Sequence, residues 1–378
     1  MSKVKFGDIV KDVKINVDRI NNPYEFYVAG DHMDSEDLNI RRRGRFATDD
    51  VGPAFTRIFK KGQVLYGSRR TYLKKVAVAD FDGICANTTF VFESKDPTVF
   101  EQRLLPFLML SEGFTNWSIA HSKGSTNPYV LFSDLASYEF DLPSLAEQKV
   151  LAEKLWAAYE VKQSYLKMIV ATEEMVKSQF IEMIGSKEWP QVQLKDIVHE
   201  DCPISYGIVQ PGDDIENGVP IVRPIDMTDS HIIDKNALKR TTRQISDSYS
   251  RTILRGDEIL VCVRGTTGLI ALADGLKDCN VTRGITPLYF KPEYNRDYIY
   301  RAFLGEKIQK YIQDNTIGST LKGINMSKLR ELPICMPTKD IQEQYVLIAN
   351  QADKSISELR KSVDAIDKVI KSLINENL

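Results

Sequence analysis

The sequence has no long apolar run. Met1 to Val10 lacks the apolar core of a secretory leader, and the most apolar stretch, Leu104 to Leu110, is interrupted by Pro106. Roughly 20 apolar residues are needed to span a bilayer, so neither segment reads as a membrane span. Cysteine is sparse and unpaired: Cys85, Cys202, Cys262, Cys279 and Cys335 contain no C-x-x-C. A dispersed, odd set of thiols excludes a disulfide framework or a zinc site and points to a reducing cytoplasm.

Catalytic signatures are missing too. No G-x-x-x-x-G-K-[ST] phosphate loop exists, and neither Gly124-Ser125-Thr126 nor Gly318-Ser319-Thr320 leads into its lysine, so both triplets read as turns. Arg264-Gly265-Thr266-Thr267-Gly268 has hairpin spacing. His32, His121, His199 and His231 stand apart, without metal-ligand spacing. Asn22-Pro23-Tyr24 and Asn127-Pro128-Tyr129 lack the second proline of a base-gripping Asn/Asp-Pro-Pro-aromatic run and read as turns. Glu147-Gln148-Lys149, the one candidate nuclease tail, falls on a predicted helix. Charge of one sign is also lacking: 50 Lys and Arg against 52 Asp and Glu give a net charge of −2. Any nucleic-acid surface must therefore come from local distribution.

What the chain does contain is a repeat. Its 378 residues suit two or three domains, with 43% hydrophobic and 27% charged residues, enough for real cores. Val4 to Val10 recurs as Val192 to Val198, Lys61 to Leu65 as Arg255 to Ile259, Ala77 to Asp80 as Ala271 to Asp274, and Ser133 to Leu135 as Ser327 to Leu329. The Gly-Ser-Thr triplets also correspond, and Leu142-Pro143 matches Met336-Pro337, at an offset that stays at 194 from Gly62 to Pro143. Short β-branched or aromatic runs read as strands at Val64 to Tyr66, Val76 to Ala79 and Thr88 to Phe92. Their counterparts are Ile259 to Val263, Leu269 to Ala273 and Leu288 to Phe290. Helical stretches follow near Phe100 to Glu112 and Tyr298 to Gln313.

Each half then enters a long heptad-like stretch, opened by Glu147-Gln148 and Glu343-Gln344. The first seam is Leu151, Leu155, Ala158, Tyr165, Ile169, Thr172, Val176, Phe180 and Met183, skipping Lys162; Gly185 follows as a C-cap. The second is Ile341, Tyr345, Ile348, Ala352, Ile356, Leu359, Val363, Ile366, Ile370 and Leu373. Helices of ~36–40 residues are about 54–60 Å long. Single-seam helices of that length need partners, and mutual antiparallel pairing is expected.

Positive charge gathers between Ile40 and Lys75: Arg41, Arg42, Arg43, Arg45, Arg57, Lys60, Lys61, Arg69, Arg70, Lys74 and Lys75, against Asp49 and Asp50. Phe46, Phe55, Phe59, Tyr66 and Tyr72 are interleaved. A weaker second cluster holds Lys239, Arg240, Arg243, Arg251, Arg255 and Arg264, with Tyr249. Lys and Arg neutralise phosphates, and Arg can pair bidentately with guanine, so these residues are the candidate DNA contacts. The bland alternative is a solvated basic face.

The duplicated layout resembles the specificity subunits of type I restriction–modification systems. So do the helix openings Leu142-Pro143-x-Leu145-x-Glu147-Gln148 and Pro337-x-x-x-Ile341-x-Glu343-Gln344, and Gly67 to Tyr72 running into Val76 to Cys85. The resemblance implies an α/β (α+β) chain with two mixed α/β target-recognition domains, residues 1–144 and 186–338. They are separated by two long antiparallel coiled-coil-like helices, residues 145–185 and 339–378, in a pseudo-two-fold arrangement. It further implies a non-catalytic subunit that reads a bipartite DNA target, with the methyltransferase contact on the faces flanking the heptads. Arg69 and Arg70 against Val263 and Arg264 make that target asymmetric. The implied partners are double-stranded DNA, two adenine-N6 methyltransferase subunits using S-adenosylmethionine, and restriction subunits using ATP and magnesium. An enzyme with a cryptic active site, a DNA-free coiled-coil scaffold, and a system that only methylates stay open at this point.

Overall fold

A computed structural model of the chain describes residues 2–18, 21–185, 187–228, 233–318 and 322–378. His231, Ser319 and Thr320 lie outside the described residues, so the second Gly-Ser-Thr triplet is followed only to Gly318. Contacts divide the chain into two compact units, Met1–Met168 with Glu358–Leu378, and Ile169–Ser357. The division falls inside both long helices, Leu145–Phe180 and Lys339–Asn377, so each unit owns one end of each.

In the first unit, one antiparallel sheet runs in the order Val10–Asp12, Thr89–Ser94, Val64–Gly67, Val76–Val78. Alternate side chains of a strand leave on opposite faces. Val64, Tyr66, Val76, Phe90 and Phe92 accordingly pack with Phe6, the helical segment Leu105–Leu110 and the long-helix residues Leu151, Leu155 and Tyr159. Leu65, Ala77, Ala79 and Val91 point the other way, onto Val28, Phe59 and Cys85 of a second sheet. That sheet runs Gly44–Arg45, Phe26–Val28, Gly83–Ala86, Phe55–Phe59, with its middle pair parallel. The layers are therefore sheet, sheet, helix.

The second unit repeats this plan with fewer strands. Ile270–Leu272, Ile259–Cys262 and Ile285–Leu288 form the antiparallel sheet. Ile259, Val261, Val263 and Ile270 face the helical layer, while Leu260, Cys262, Ala271 and Ala273 face Val222 and Val281. Those two residues are again a parallel pair, in strands Val219–Val222 and Asn280–Val281.

Registers correct the constant sequence offset. Leu65 pairs with Ala77, and Leu260 pairs with Ala271. Leu65 thus corresponds to Leu260, an offset of 195, although Ala77 corresponds to Ala271 at 194. The extra residue lies in the first unit's hairpin turn between these strands; the turn before them already matches at 195, with Gln63 Oε1 accepting from Lys60 N and Glu258 Oε1 accepting from Arg255 N. Matching Gly62 to Gly256 hides it. A one-residue slip would send every core side chain to the wrong face, so burial overrules the glycine match.

Two further expectations change. The helix expected near Phe100 to Glu112 is broken: Leu105–Leu110 ends at Ser111, whose side chain accepts from Phe114 N and caps a new helix, Glu112–Ala120. The strand expected at Leu288 to Phe290 lies earlier, at Ile285–Leu288.

The first long helix opens on a capping box: Glu147 N donates to Ser144 Oγ, and Ser144 N donates to Glu147 Oε2. Gln148, fully buried, donates to Pro143 O and Val99 O and accepts from Glu101 N. Gln342 makes the same bond to Pro337 O, so it, rather than Gln344, is the counterpart of Gln148. A π turn, Ile181–Gly185, extends the first helix to Gly185.

Within the first unit, the start of the first long helix packs on the end of the second. Leu151, Leu155 and Tyr159 share a core with Ile366, Ile370 and Ile374, and Lys162 Nζ lies 2.6 Å from Asp367 Oδ1. Within the second unit the opposite ends meet, with Val176 and Phe180 sharing a core with Ile341, Tyr345 and Ala349. The Phe180 and Tyr345 rings are 5.2 Å apart. The pairing is antiparallel in both.

The two sheets of the first unit are also joined by charge. Arg57 Nη1 donates to Asp12 Oδ1 and Thr89 O, each at 3.0 Å, with side-chain exposures of 11% for Arg57 and 1% for Asp12. Burial pushes the Asp12 carboxyl up, against the pull of Arg57. Arg57→Ala should cost about 3 kcal/mol near neutral pH by leaving the buried Asp12 carboxylate with only the exposed Lys14, 3.8 Å away, as counter-charge. The loss should shrink as pH falls, because a carboxyl with a raised folded-state pKa is penalised only where the unfolded chain ionises it. Urea titrations at about pH 7.5 and about pH 5 check both statements.

Candidate nucleic-acid interface

The basic residues singled out in the first half do not form one open patch. Arg41 pairs with Asp37 at 2.5 Å, Arg42 with Asp34, Arg45 with Glu25 at 3.0 Å, Lys60 with Asp82 at 2.9 Å and Lys74 with Glu36 at 2.7 Å. The Arg43 guanidinium lies over the Phe26 ring at 3.9 Å. Arg57 is an internal strut and leaves the list of candidate contacts. The neutralising carboxylates lie mostly just outside the window that looked basic in sequence.

Lys75 Nζ donates to Gly30 O, Lys61 is exposed without an ion pair, and Arg69 and Arg70 are the two arginines of the cluster held by neither a carboxylate nor an aromatic ring among the described residues. Both are exposed, and neither has an ion pair or side-chain hydrogen bond among the described residues. They sit where the hairpin Val64–Gly67/Val76–Val78 turns. Arg69 bridges to Tyr129, and Arg70 N donates to Pro128 O at 2.7 Å. A 3-10 turn, Thr71–Leu73, follows, with Tyr72 54% exposed at its apex. Left-handed residues bracket this turn, Arg70 at φ 50° and Lys74 at φ 48°.

Lys74 is locked by reciprocal bonds. Glu36 N donates to Lys74 O, and Lys74 Nζ donates to Glu36 Oε1. Glu36 is itself left-handed, φ 55°. The hydrogen bond from Lys74 holds the Glu36 carboxyl below its usual range, with Lys371 and Lys162 adding to the effect. Non-glycine residues in this region are uncommon and cost of order 1–3 kcal/mol each, and they collect at functional sites. Three of the four described here, Glu36, Arg70 and Lys74, meet at this loop.

The second unit builds the same loop differently. Arg264 bridges to Gly323 as Arg69 bridges to Tyr129, and Gly265 N donates to Lys322 O as Arg70 N donates to Pro128 O. Arg264 therefore corresponds to Arg69, and Gly265 to Arg70; the pairing of Arg69 with Val263 read from the constant offset is corrected by one residue. Gly265 (φ 85°) and Gly268 (φ 93°) occupy the two left-handed positions. Gln309 Nε2 donates to Gly268 O, serving where Glu36 serves Lys74.

Beside each loop stands a second hairpin. In the first unit Lys123 and Tyr129 exchange backbone bonds around a tip with Gly124 at φ 86°; in the second, Thr316–Ile317 pairs with Gly323–Ile324, with Gly318 at φ 113°. Tyr129, 40% exposed, was missed in sequence because it lies far from the basic run.

Elsewhere in the second unit the Arg264 guanidinium lies over Tyr206 at 5.1 Å, and half-buried Arg240 reaches Gly218 O. Arg243 and Arg251 are exposed and Tyr249 is half-buried. Arg283, also exposed, was not among the expected contacts. The ten seam residues named from the heptads are all buried or half-buried: Leu151, Leu155, Ile169, Val176, Phe180, Ile348, Leu359, Val363, Ile366 and Ile370. Tyr159 joins them, its hydroxyl donating to Asp37 Oδ1 and accepting from Leu38 N.

The profile of one family, the type I restriction modification DNA specificity domain, matches twice, over residues 14–164 and 186–366. The chain belongs to this family of type I restriction–modification specificity proteins. It is 26% identical over 266 residues to the type I restriction enzyme EcoBI specificity subunit of Escherichia coli, covering 62% of this chain and 54% of that one. The chain spans about half the length of the curated relatives it matches. Two solved structures share the fold. One, from work on complex assembly and conformational transition of the type I R-M system, has a TM-score of 0.60 at 20% identity, covering 100% of this chain and 98% of that chain. The other, the type I restriction-modification S subunit from M. genitalium, has a TM-score of 0.58 at 15% identity, covering 100% and 96%.

Glycine separates the two loops in stability as well. A Cβ on Gly268 would meet Gln309 Oε1 at 2.8 Å in a backbone shape that L residues avoid. Gly268→Ala should cost about 1–3 kcal/mol. Arg70→Gly, which relaxes a left-handed arginine, should be neutral or raise stability by about 1 kcal/mol. Thermal unfolding of the two variants beside the parent checks the opposite signs.

Proposed function

We propose that this chain is the DNA-reading subunit of a type I restriction–modification complex, acting in the cytoplasm and carrying no catalysis itself. Residues 1–144 and 186–338 serve as two target-recognition domains, each reading one half of a bipartite, asymmetric target. Residues 145–185 and 339–378 serve as a spacer. The observation that carries the reading is the doubled loop: two family matches in one chain, each presenting an arginine-bearing hairpin turn beside a second polar hairpin. Duplicated readers on one duplex face suit half-sites about one helical turn apart, ~34–36 Å.

The long helices support the docking role. In the first unit, the first helix leaves Val150, Val161 and Met168 about half exposed, at 51%, 44% and 52%, spaced so that they share a face away from the seam. Met175 is 44% exposed within the second unit. An apolar stripe outside the seam is what a helical partner buries, and we assign it to methyltransferase subunits, two per chain, to which restriction subunits then join. S-adenosylmethionine, ATP and magnesium belong to those partners.

Adenine-methylation mapping of host DNA, with and without this gene beside its methyltransferase partner, tests the reading. One bipartite motif should vanish on deletion; an unchanged map with the partner expressed refutes it. Removing one heptad from each helix shortens the spacer by about 10 Å. That is about three base pairs, so the gap in the motif should shrink while its letters stay. Val161→Asp with Met168→Asp should abolish co-purification of the methyltransferase and leave thermal unfolding unchanged; retained co-purification would move the docking face elsewhere.

A further inference from the structure

Arg69 and Arg70 stand apart from the other arginines of the first unit's basic cluster: Arg41, Arg42, Arg45 and Arg57, like Lys60 and Lys74, are paired with carboxylates, and Arg43 lies over the Phe26 ring. A charge already neutralised by a neighbour contributes little attraction to phosphate or base. The backbone that carries these two side chains is also fixed. Arg69 is fixed by its bridge to Tyr129, Arg70 by its bond to Pro128 O, and the turn between Arg70 and Lys74 by Leu73 N to Arg70 O and Lys74 N to Thr71 O. Thr71, 3% exposed, anchors the loop from beneath, its hydroxyl 3.2 Å from that of Ser122.

The comparison within the chain then separates two kinds of residue. The Gly-Ser-Thr triplets have identical letters in both halves, and their glycines share a positive φ. An identical element cannot tell two different half-sites apart; it suits what every site shares, the phosphate backbone. The loops beside them occupy the same place in the fold and differ in chemistry. Arg69-Arg70-Thr71-Tyr72-Leu73-Lys74 stands against Arg264-Gly265-Thr266-Thr267-Gly268. Glycine fits the left-handed position at Gly265, and the first unit holds an arginine there instead. A side chain retained where the backbone favours glycine indicates a use for that side chain.

We propose that the loop Arg69–Lys74 is the base-reading element of the first unit, with Arg69 and Arg70 as its specificity-determining residues and guanine as their target. Its counterpart Arg264–Gly268 reads the other half-site with one arginine and two threonines. The planar guanidinium donates two parallel hydrogen bonds to guanine O6 and N7, whereas threonine reads with a hydroxyl and a methyl group. The two loops therefore require different letters at equivalent places. This inference rests on the DNA-reading function proposed above and assigns that function to particular side chains.

Adenine-methylation mapping of a host expressing the full chain with its methyltransferase partner provides the test, comparing the parent, Arg69→Gln and Arg70→Gly. Arg70→Gly suits the left-handed backbone, so it removes the guanidinium while keeping the loop, and co-purification with the methyltransferase verifies assembly of each variant. The expected result is that spacer and second half-site stay intact while preference for guanine at one position of the first half-site falls by about 5- to 150-fold. Uniformly weaker methylation of an unchanged motif would overturn the proposal, placing these arginines on phosphates. An unchanged map, or relaxed letters in the other half-site, would overturn it as well. Absence of any bipartite motif from the parent chain would instead remove the underlying DNA-reading function, and this proposal with it.

Discussion

The rest of this structure depends on one constraint: in each unit a short antiparallel hairpin is buried on both faces. Val64-Leu65-Tyr66 and Ile259-Leu260-Val261 send alternate side chains into two different cores, one helical and one against a second sheet. A strand with a solvent face could tolerate a slip; these cannot, because a one-residue shift would exchange two cores of different shape. The register is thereby pinned, and with it the turn at the end of the hairpin. That turn carries Arg69 and Arg70 in one unit and Arg264 in the other. Core packing is thus what aims the candidate DNA-reading side chains.

Charge is arranged by the same logic of local pairing. The first unit carries a dense basic run, yet Glu25, Asp34, Glu36, Asp37 and Asp82 fold onto it and Phe26 covers Arg43, which leaves Arg69 and Arg70 as its arginines without a carboxylate or ring partner among the described residues. An exposed ion pair adds little stability. Its consequence here is to cancel the field of the surrounding surface, so that the remaining guanidinium groups stand out. Arg57 shows the opposite use, an inward ion pair that joins two sheets and presents nothing to solvent.

The helices were legible from sequence because their period is long and regular, and chance seldom sustains a heptad pattern over such lengths. The strands around Val64, Val76 and Ile259 were legible as short apolar runs, and the duplication as repeated motifs. The breaks in that reading have physical causes. Ser111 ends one helix by capping the next, which apolar content alone hides. Lys162 looked like an interruption of the seam, but it pairs with Asp367 on the facing helix; Tyr159, outside the expected seam, buries its ring while its hydroxyl reaches Asp37. The offset of 194 misplaced Arg69 by one residue because it holds only beyond the hairpin turn, which is one residue longer in the first unit.

The amino-acid order by itself determined the family, the doubling of the unit, the two long amphipathic helices and the turn that bears arginines. All of these are written in local spacing, which a chain carries before it folds. Only the tertiary structure decided which of the many cations remain free, because pairing with a carboxylate depends on distance in space. It also decided that Arg70 and Lys74 adopt left-handed backbone at this loop. That conformation is unfavourable for an isolated arginine or lysine, and here Pro128, Thr71 and Glu36 hold it in place.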